Sequence, residues 1–349
     1  MSASAPGSVL CSGPVLYSAS EENLETAGHE LRSVFGRGIT LERIGPDLGA
    51  LGGPSIAEVA QACSDGRMAF VQHLAVERAR LAPGAGLDEV VSAAVELAPT
   101  GADLAVQAWA SGAPKAGYGA GEVFTGVRDA LAERGTTVAR SGREHVLSVC
   151  TTERGVVLGL NRAADALSDW PGGRVRLAKG PGHVSRAEFK LEELFGLVPL
   201  DLPRRGNAVD LGAAPGGWTR IVRLRGPQVW AVDPGDMDPR VLGDPGVHHV
   251  RTTAGEFFRA TDLEFDLVVN DMRMDPLLSC DVMLEAAERL RPGALAVMTL
   301  KTGLNRPLET LQRCRQHLSA RYDVVFTRQL HHNRHELTVV LRARDNVRT

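Results

Sequence analysis

The stretch Val209-Asp210-Leu211-Gly212-Ala213-Ala214-Pro215-Gly216-Gly217-Trp218-Thr219 restricts what this chain can become more than any other. An apolar strand, a glycine-rich turn and the opening of a helix follow one another directly, which is how an α/β sheet brings backbone amides up to an adenosine cofactor. Asp233 closes the next apolar run, Gln228–Val232, and lies 21 residues after Gly212. That is the usual spacing of a carboxylate that takes a ribose hydroxyl. It suits NAD and S-adenosylmethionine alike, so the turn must decide. A dinucleotide turn needs Gly-x-Gly-x-x-Gly, because its backbone approaches a pyrophosphate at the helix N-terminus. Here the glycines stand at 212, 216 and 217, with Pro215 before the last two. The missing second glycine favours a cofactor without phosphates.

Around this turn strands and helices alternate: strand 208–212, helix 216–224, strand 228–233, strand 247–250, helix 254–259, strand 265–270, helix 276–290, strand 294–300, helix 307–320, then strands 323–330 and 336–342. Such alternation predicts a Rossmann-like α/β domain with a mostly parallel sheet. No helix separates the final pair, so the last strand is expected to be antiparallel, at or near an edge. The helix before the turn is predicted over 185–197, with Ser185 and Glu188 spaced as a capping box. Upstream, residues 1–12 read as a disordered leader, 13–66 as a small α/β module and 67–165 as a second. A linker rich in Pro, Gly and basic residues follows at 166–184, and 185–349 forms the domain of the glycine turn. No apolar run reaches membrane-spanning length, and residues 1–8 show neither the basic n-region nor the apolar core expected of a secretory signal.

The net charge of −3 conceals an asymmetry: the first 178 residues carry 15 Lys+Arg against 20 Asp+Glu, the remainder 24 against 22. Neither half is the basic body of a nonspecific nucleic-acid binder, so an RNA substrate would be held by local patches. The five cysteines form no Cys-x-x-Cys pair, which argues against a zinc site or disulfide framework and fits a reducing cytoplasm. His331, His332 and His335 would share one face only on a helix. They fall in a strand-to-strand turn, and no metal is expected.

Arginine outnumbers lysine 35 to 4. Lysine is a compact charge that can lose its proton when buried, as arginine in practice cannot, so each retained lysine invites an explanation. Lys301 ends the apolar run 294–300 and Asp271 ends 265–270, both at carboxyl ends of strands, where open α/β sheets hold their ligands. Lys190 lies in Ser185-Arg186-Ala187-Glu188-Phe189-Lys190-Leu191-Glu192, and Glu336 opens the last strand after His331-His332-Asn333-Arg334-His335. With the glycine turn and Asn270-Asp271-Met272, these residues resemble the FtsJ-type ribose 2'-O-methyltransferases from 185 to about 343. The segment Arg328–Val339 resembles, more narrowly, the end of the RlmM-type bacterial enzymes, which methylate a cytidine ribose of 23S rRNA.

The first resemblance implies S-adenosylmethionine as cofactor and Lys190, Asp271, Lys301 and Glu336 as a catalytic tetrad. Lys301 would take the proton of the ribose hydroxyl, its pKa lowered by repulsion from Lys190. Asp271 would orient Lys301 and the substrate, and Glu336 would hold Lys190 or the ribose. The cofactor would be held by Asp210, Gly212, Ala213, Pro215, Gly216, Gly217, Trp218, Asp233, Asp271 and the segment at Ala254. At Ala254 the family commonly has an aspartate for the adenine amino group, and Glu256 or a backbone carbonyl could substitute. The RlmM likeness implies that 13–66 is ferredoxin-like, that 67–165 is a THUMP-type RNA-binding domain, and that the substrate is 23S rRNA; a monomer is expected. Lys179, Arg186, Arg328, His332 and Arg334 are candidate contacts to RNA. The same chemistry on tRNA or another RNA, or an RNA-binding scaffold without turnover, are the alternatives.

Overall fold

The computed structural model describes residues 13–344 except 115 and 203. The expected leader at 1–12 falls outside the described residues. The chain divides into two units, the first ending at Val175 and the second beginning at Arg176.

The first unit begins with β1 (Val15–Ser18), α1 (Leu24–Phe35), β2 (Thr40–Arg43), β3 (Leu48–Gly52), α2 (Ile56–Ser64) and β4 (His73–Leu81). It continues with α3 (Leu87–Leu97), β5 (Leu104–Ala110), α4 (Ala120–Glu133), β6 (Val138–Ala139), β7 (His145–Thr152) and β8 (Gly155–Arg162). All eight strands form one sheet in the order β2-β3-β1-β4-β8-β7-β5-β6. The long β4 joins its halves: His73–Val76 pair with β1, and the run from Glu77 to Leu81 pairs with β8. The first six elements thus make a β-α-β-β-α-β unit with antiparallel order β2-β3-β1-β4, the split β-α-β arrangement. On the other half, α3 and α4 cover Leu104, Val106, Leu147, Val149 and Leu158. Residues up to Val175, the first half of the expected linker, belong to this unit. Ala166 and Val175 are buried, and the Gly172 carbonyl accepts from Ser18 Oγ at 2.8 Å.

The second unit contains α5 (Glu188–Leu197), β9 (Asn207–Leu211), α6 (Gly217–Arg223), β10 (Gln228–Val232), α7 (Pro239–Leu242), β11 (Val247–Val250), α8 (Ala254–Ala260) and β12 (Phe265–Asn270). It ends with α9 (Pro276–Ala287), β13 (Leu290–Leu300), α10 (Pro307–Leu318), β14 (Tyr322–Arg328) and β15 (Leu337–Ala343). Its sheet runs β11-β10-β9-β12-β13-β15-β14. The first five strands are parallel, as expected for strands joined by helical crossovers. The last strand is antiparallel, and it is inserted between β13 and β14 rather than lying at the edge itself. The β9, β12 and β13 positions that alternate toward α5 and α6 are apolar and buried: Ala208, Leu267, Val269, Leu295 and Val297. No helix among the described residues is long and apolar enough to cross a membrane.

Candidate active site

Strand register assembles the site. Leu211 pairs with both Val232 and Asn270, and Asn270 pairs with Met298, so β9, β10 and β12 end level with one another. The residues that follow, Gly212, Asp233 and Asp271, therefore emerge together at the carboxyl edge where α/β sheets bind ligands. Leu300 faces Leu337 across the antiparallel pair β13/β15. One more step along each strand sets Lys301 against Glu336. Helix α5 brings Lys190 to the same place.

These four side chains form one cluster. Lys190 Nζ donates to Asp271 Oδ1 and Oδ2 at 2.9 and 3.0 Å and stands 2.6 Å from Glu336 Oε1. Lys301 Nζ donates to Asp271 Oδ1 at 2.6 Å, to Thr299 Oγ1 at 2.6 Å and to Glu336 Oε2. Three acceptors meet three protons, the surroundings of an ammonium group. The expected repulsion between the two lysines is corrected by the geometry, because both carboxylates lie between them. At Lys190 burial would lower the pKa, but Asp271 and Glu336 outweigh it and hold the ammonium above its ordinary value. At Asp271 burial acts in the opposite sense, yet Lys190 and Lys301 hold the carboxyl below its usual range. Thr299, not anticipated from sequence, donates to Asp271 Oδ1 at 2.6 Å and is 1 % exposed. Its position two residues before Lys301 on one strand, hence on the same face, was the available signal.

On the other side of Asp271 lies the glycine turn. Gly216 has φ +108°, and a Cβ there would come within 2.9 Å of Met237 Cε and 3.0 Å of Val241 Cγ2. Gly216→Ala is therefore expected to destabilise the protein by about 1–3 kcal/mol, read as a lower urea midpoint. An unchanged midpoint would remove the conformational argument for this glycine. Gly217 is needed for contact rather than for φ: its missing Cβ leaves room for Ser185 Oγ. The predicted capping box is only half formed. Glu188 Oε1 accepts from the N–H groups of Val184 and Ser185, but Ala187 is the N-cap and Ser185 Oγ has no hydrogen-bond partner.

Asp233 anchors the turn by accepting from Ala214 N at 3.0 Å and Gly235 N at 2.7 Å. Asp210 is buried and accepts from Thr219 Oγ1 at 2.6 Å. Burial, with Asp271 and Asp233 nearby, pushes its pKa up to about 7 despite that hydrogen bond. Asp210, Asp233 and Asp271 thus converge on a turn where no Lys or Arg side chain meets Asp210 or Asp233 among the described residues. Such a donor set fits a cationic sulfonium cofactor and would repel a pyrophosphate. The Trp218 side chain is not on this surface. It is 3 % exposed, packs in the core of the unit and donates from Nε1 to the Ala187 carbonyl. Ala254 begins α8, and Glu256 is turned back onto Thr252 and Thr253 as a capping box, so its carboxylate is already engaged.

A cavity of about 810 Å³ opens over the tetrad, lined by Lys190, Asp271, Lys301 and Glu336 together with Arg186, Arg273, His332 and Arg334. Arg186 and Arg334 are exposed there, while Arg273, also lining it, was not anticipated. Lys179 is exposed in the segment before α5. Arg328 is corrected: at 7 % exposure, with its guanidinium over the Phe326 ring, it is part of the interior and not a surface contact.

Residues 183–322 match the family model described as FtsJ-like methyltransferase. The chain is similar to the ribosomal RNA large subunit methyltransferase M of Halorhodospira halophila, 40% identical over 50% of this chain and 51% of that protein. It is also similar to the protein of that name from Methylococcus capsulatus, 36% identical over 56% and 57% respectively. The chain spans about half the length of the curated relatives it matches. Among solved structures, TrmN from Thermus thermophilus aligns over 95% of this chain and 99% of its own at 18% identity, with a TM-score of 0.38. Lys190, Asp271 and Lys301 lie within the matched segment and Glu336 lies beyond it; all four side chains meet at the sheet edge next to the glycine turn.

Proposed function

We propose that the chain transfers a methyl group from S-adenosylmethionine to a ribose 2'-hydroxyl of RNA, a cytidine of 23S rRNA, in the cytoplasm. The observation that carries this is the convergence of Lys190, Asp271, Lys301 and Glu336 under a cavity edged by Arg186, Arg273 and Arg334. Bound at the glycine turn, the cofactor would supply an electrophilic methyl group. Gly212, Ala213, Pro215 and Gly216 would meet its methionine and ribose portion, Asp233 its ribose hydroxyls, and the Ala254 segment its adenine. The tetrad is complete within one chain, in keeping with a monomer.

A ribose hydroxyl is a poor nucleophile and must lose its proton as it attacks. Lys301 is assigned as the base. It must first pass one ammonium proton to a contacting carboxylate, Asp271 or Glu336; its Nζ lone pair can then take the hydroxyl proton. Lys190 stays charged between the same carboxylates and keeps them in place. Arg186 and Arg334 would receive backbone phosphates, while the first unit, read as a ferredoxin-like module followed by a THUMP-type domain, would dock the RNA. Mapping 2'-O-methyl groups in rRNA with and without the gene tests the assignment. An unchanged 23S map would overturn it, and a lost tRNA mark would redirect it.

Asp210 adds a pH dependence. In the cofactor-free protein its raised pKa favours folding below about pH 4, a contribution lost as pH rises toward 7. A cation bound at this edge favours the carboxylate, so cofactor affinity is expected to rise with pH below 7, by up to about tenfold per unit. Calorimetric titration of S-adenosylmethionine between pH 5.5 and 8 checks this, and Asp210→Asn should flatten the profile.

A further inference from the structure

Helix α5 carries Lys190 into the tetrad, and three residues later, nearly one turn on, it carries Glu193. The Glu193 side chain is 2 % exposed. A carboxylate withdrawn this far from water is costly unless its oxygens are met by donors. Here the donors come from one place, the loop between β14 and β15. His331 N–H reaches Oε1 at 2.7 Å, while His332 N–H and His332 Nδ1 reach Oε2 at 2.9 and 2.6 Å.

That loop delivers Glu336. Within it Leu330 N donates to Asn333 Oδ1 at 2.9 Å, Asn333 Nδ2 lies 3.4 Å from Glu336 Oε1, and Gln329 Nε2 donates to the Arg334 carbonyl at 2.7 Å. A shift of the loop at His331 is therefore transmitted along a hydrogen-bonded path to Glu336, and Lys190 and Glu336 must meet at 2.6 Å. The Phe189 ring, one residue before Lys190, packs against His332 at 5.2 Å between centroids and supports the same contact.

We propose that Glu193 is a positioning residue: it clamps the β14–β15 loop to α5 and so sets Glu336 against Lys190 and Lys301. This rests on the methyl-transfer reading above. Glu193 touches none of the reacting groups and acts through the loop. Its replacement should therefore affect turnover more than cofactor binding.

The test uses the full chain and the variants Glu193→Gln, His332→Ala and their combination. Glu193→Gln keeps the size but places an NH₂ where two N–H donors converge. It is expected to lower kcat about ten- to a hundredfold, with S-adenosylmethionine affinity within about twofold of wild type. The double variant should be no slower than Glu193→Gln alone, because both substitutions break one clamp. A kcat within about twofold of wild type, losses that multiply in the double variant, or cofactor affinity falling in step with kcat would each overturn the proposal. Should Glu193→Gln fail to fold, amide exchange in the wild-type protein decides: the His331 and His332 amides should be protected, and exchange at open-loop rates would refute the clamp. A wild-type chain that binds the cofactor but methylates no RNA overturns the functional reading instead, and the exchange rates still report separately on the clamp.

Discussion

Lys301→Ala is expected to lower the single-turnover rate of methyl transfer by about 10²–10⁴-fold, the range associated with a positioned proton acceptor. Affinity for S-adenosylmethionine should survive, because Lys301 contacts Asp271, Thr299 and Glu336 and no atom of the glycine turn. Transfer from radiolabelled cofactor to rRNA fragments, with equilibrium binding measured in parallel, separates the two effects. Lys301→Arg is an informative companion: it keeps the charge but cannot give up its proton, so it should be nearly as slow. If Lys301→Ala retained a tenth or more of the wild-type rate, Lys301 would not be the base, and a water held by Asp271 would become the leading acceptor.

Asp271→Asn should injure both stability and catalysis. It leaves two largely buried ammonium groups to share Glu336, and breaking a buried charge network by removing one partner typically costs about 3–5 kcal/mol. The sign of the pH dependence follows from the same contacts. Asp271 has a lowered pKa, so its contribution is present above the unfolded value of about 3.9 and disappears as pH falls through the folded one. Lys190 has a raised pKa, so its contribution is full below about 10.4 and is lost as pH rises through its folded value. Urea midpoints against pH should thus fall at both ends in the wild type. In Asp271→Asn the curve should be lower at neutral pH and approach the wild type at its acid end, giving a shallower acid limb. Equal midpoints at pH 7 would mean that the network adds nothing to stability.

The second unit was legible in the sequence because its signals are local. Apolar strands, Gly or Pro at their ends and helices of regular period occur in register with the chain, so β9 to β15 fall near their expected positions. Elements missed altogether are short or weakly patterned. β3 (Leu48–Gly52) contains two glycines in five residues and carries no strand signal, yet it lies in the sheet with Leu51 fully buried. α7 is a single turn capped by Asp238, and β6 is two residues long. The misread side chains, Trp218 and Arg328, share one cause. Each has a polar group that suggests surface work, but whether a residue beside a turn faces ligand or core depends on what packs behind it.

By itself the sequence determined the strand-turn-helix at 209–219, the parallel alternation that follows it and the identity of the four charged residues. These depend on hydrophobic period, glycine placement and residue chemistry, all written in consecutive positions. Only the tertiary structure decided how the four charges meet. The register of β13 against β15 sets Lys301 against Glu336, and α5 crosses the edge to place Lys190 beyond both carboxylates. The expectation of two lysines repelling one another became two lysines bridged by Asp271 and Glu336. Contacts between residues up to 146 positions apart in the chain depend on pairing and packing that no local pattern encodes.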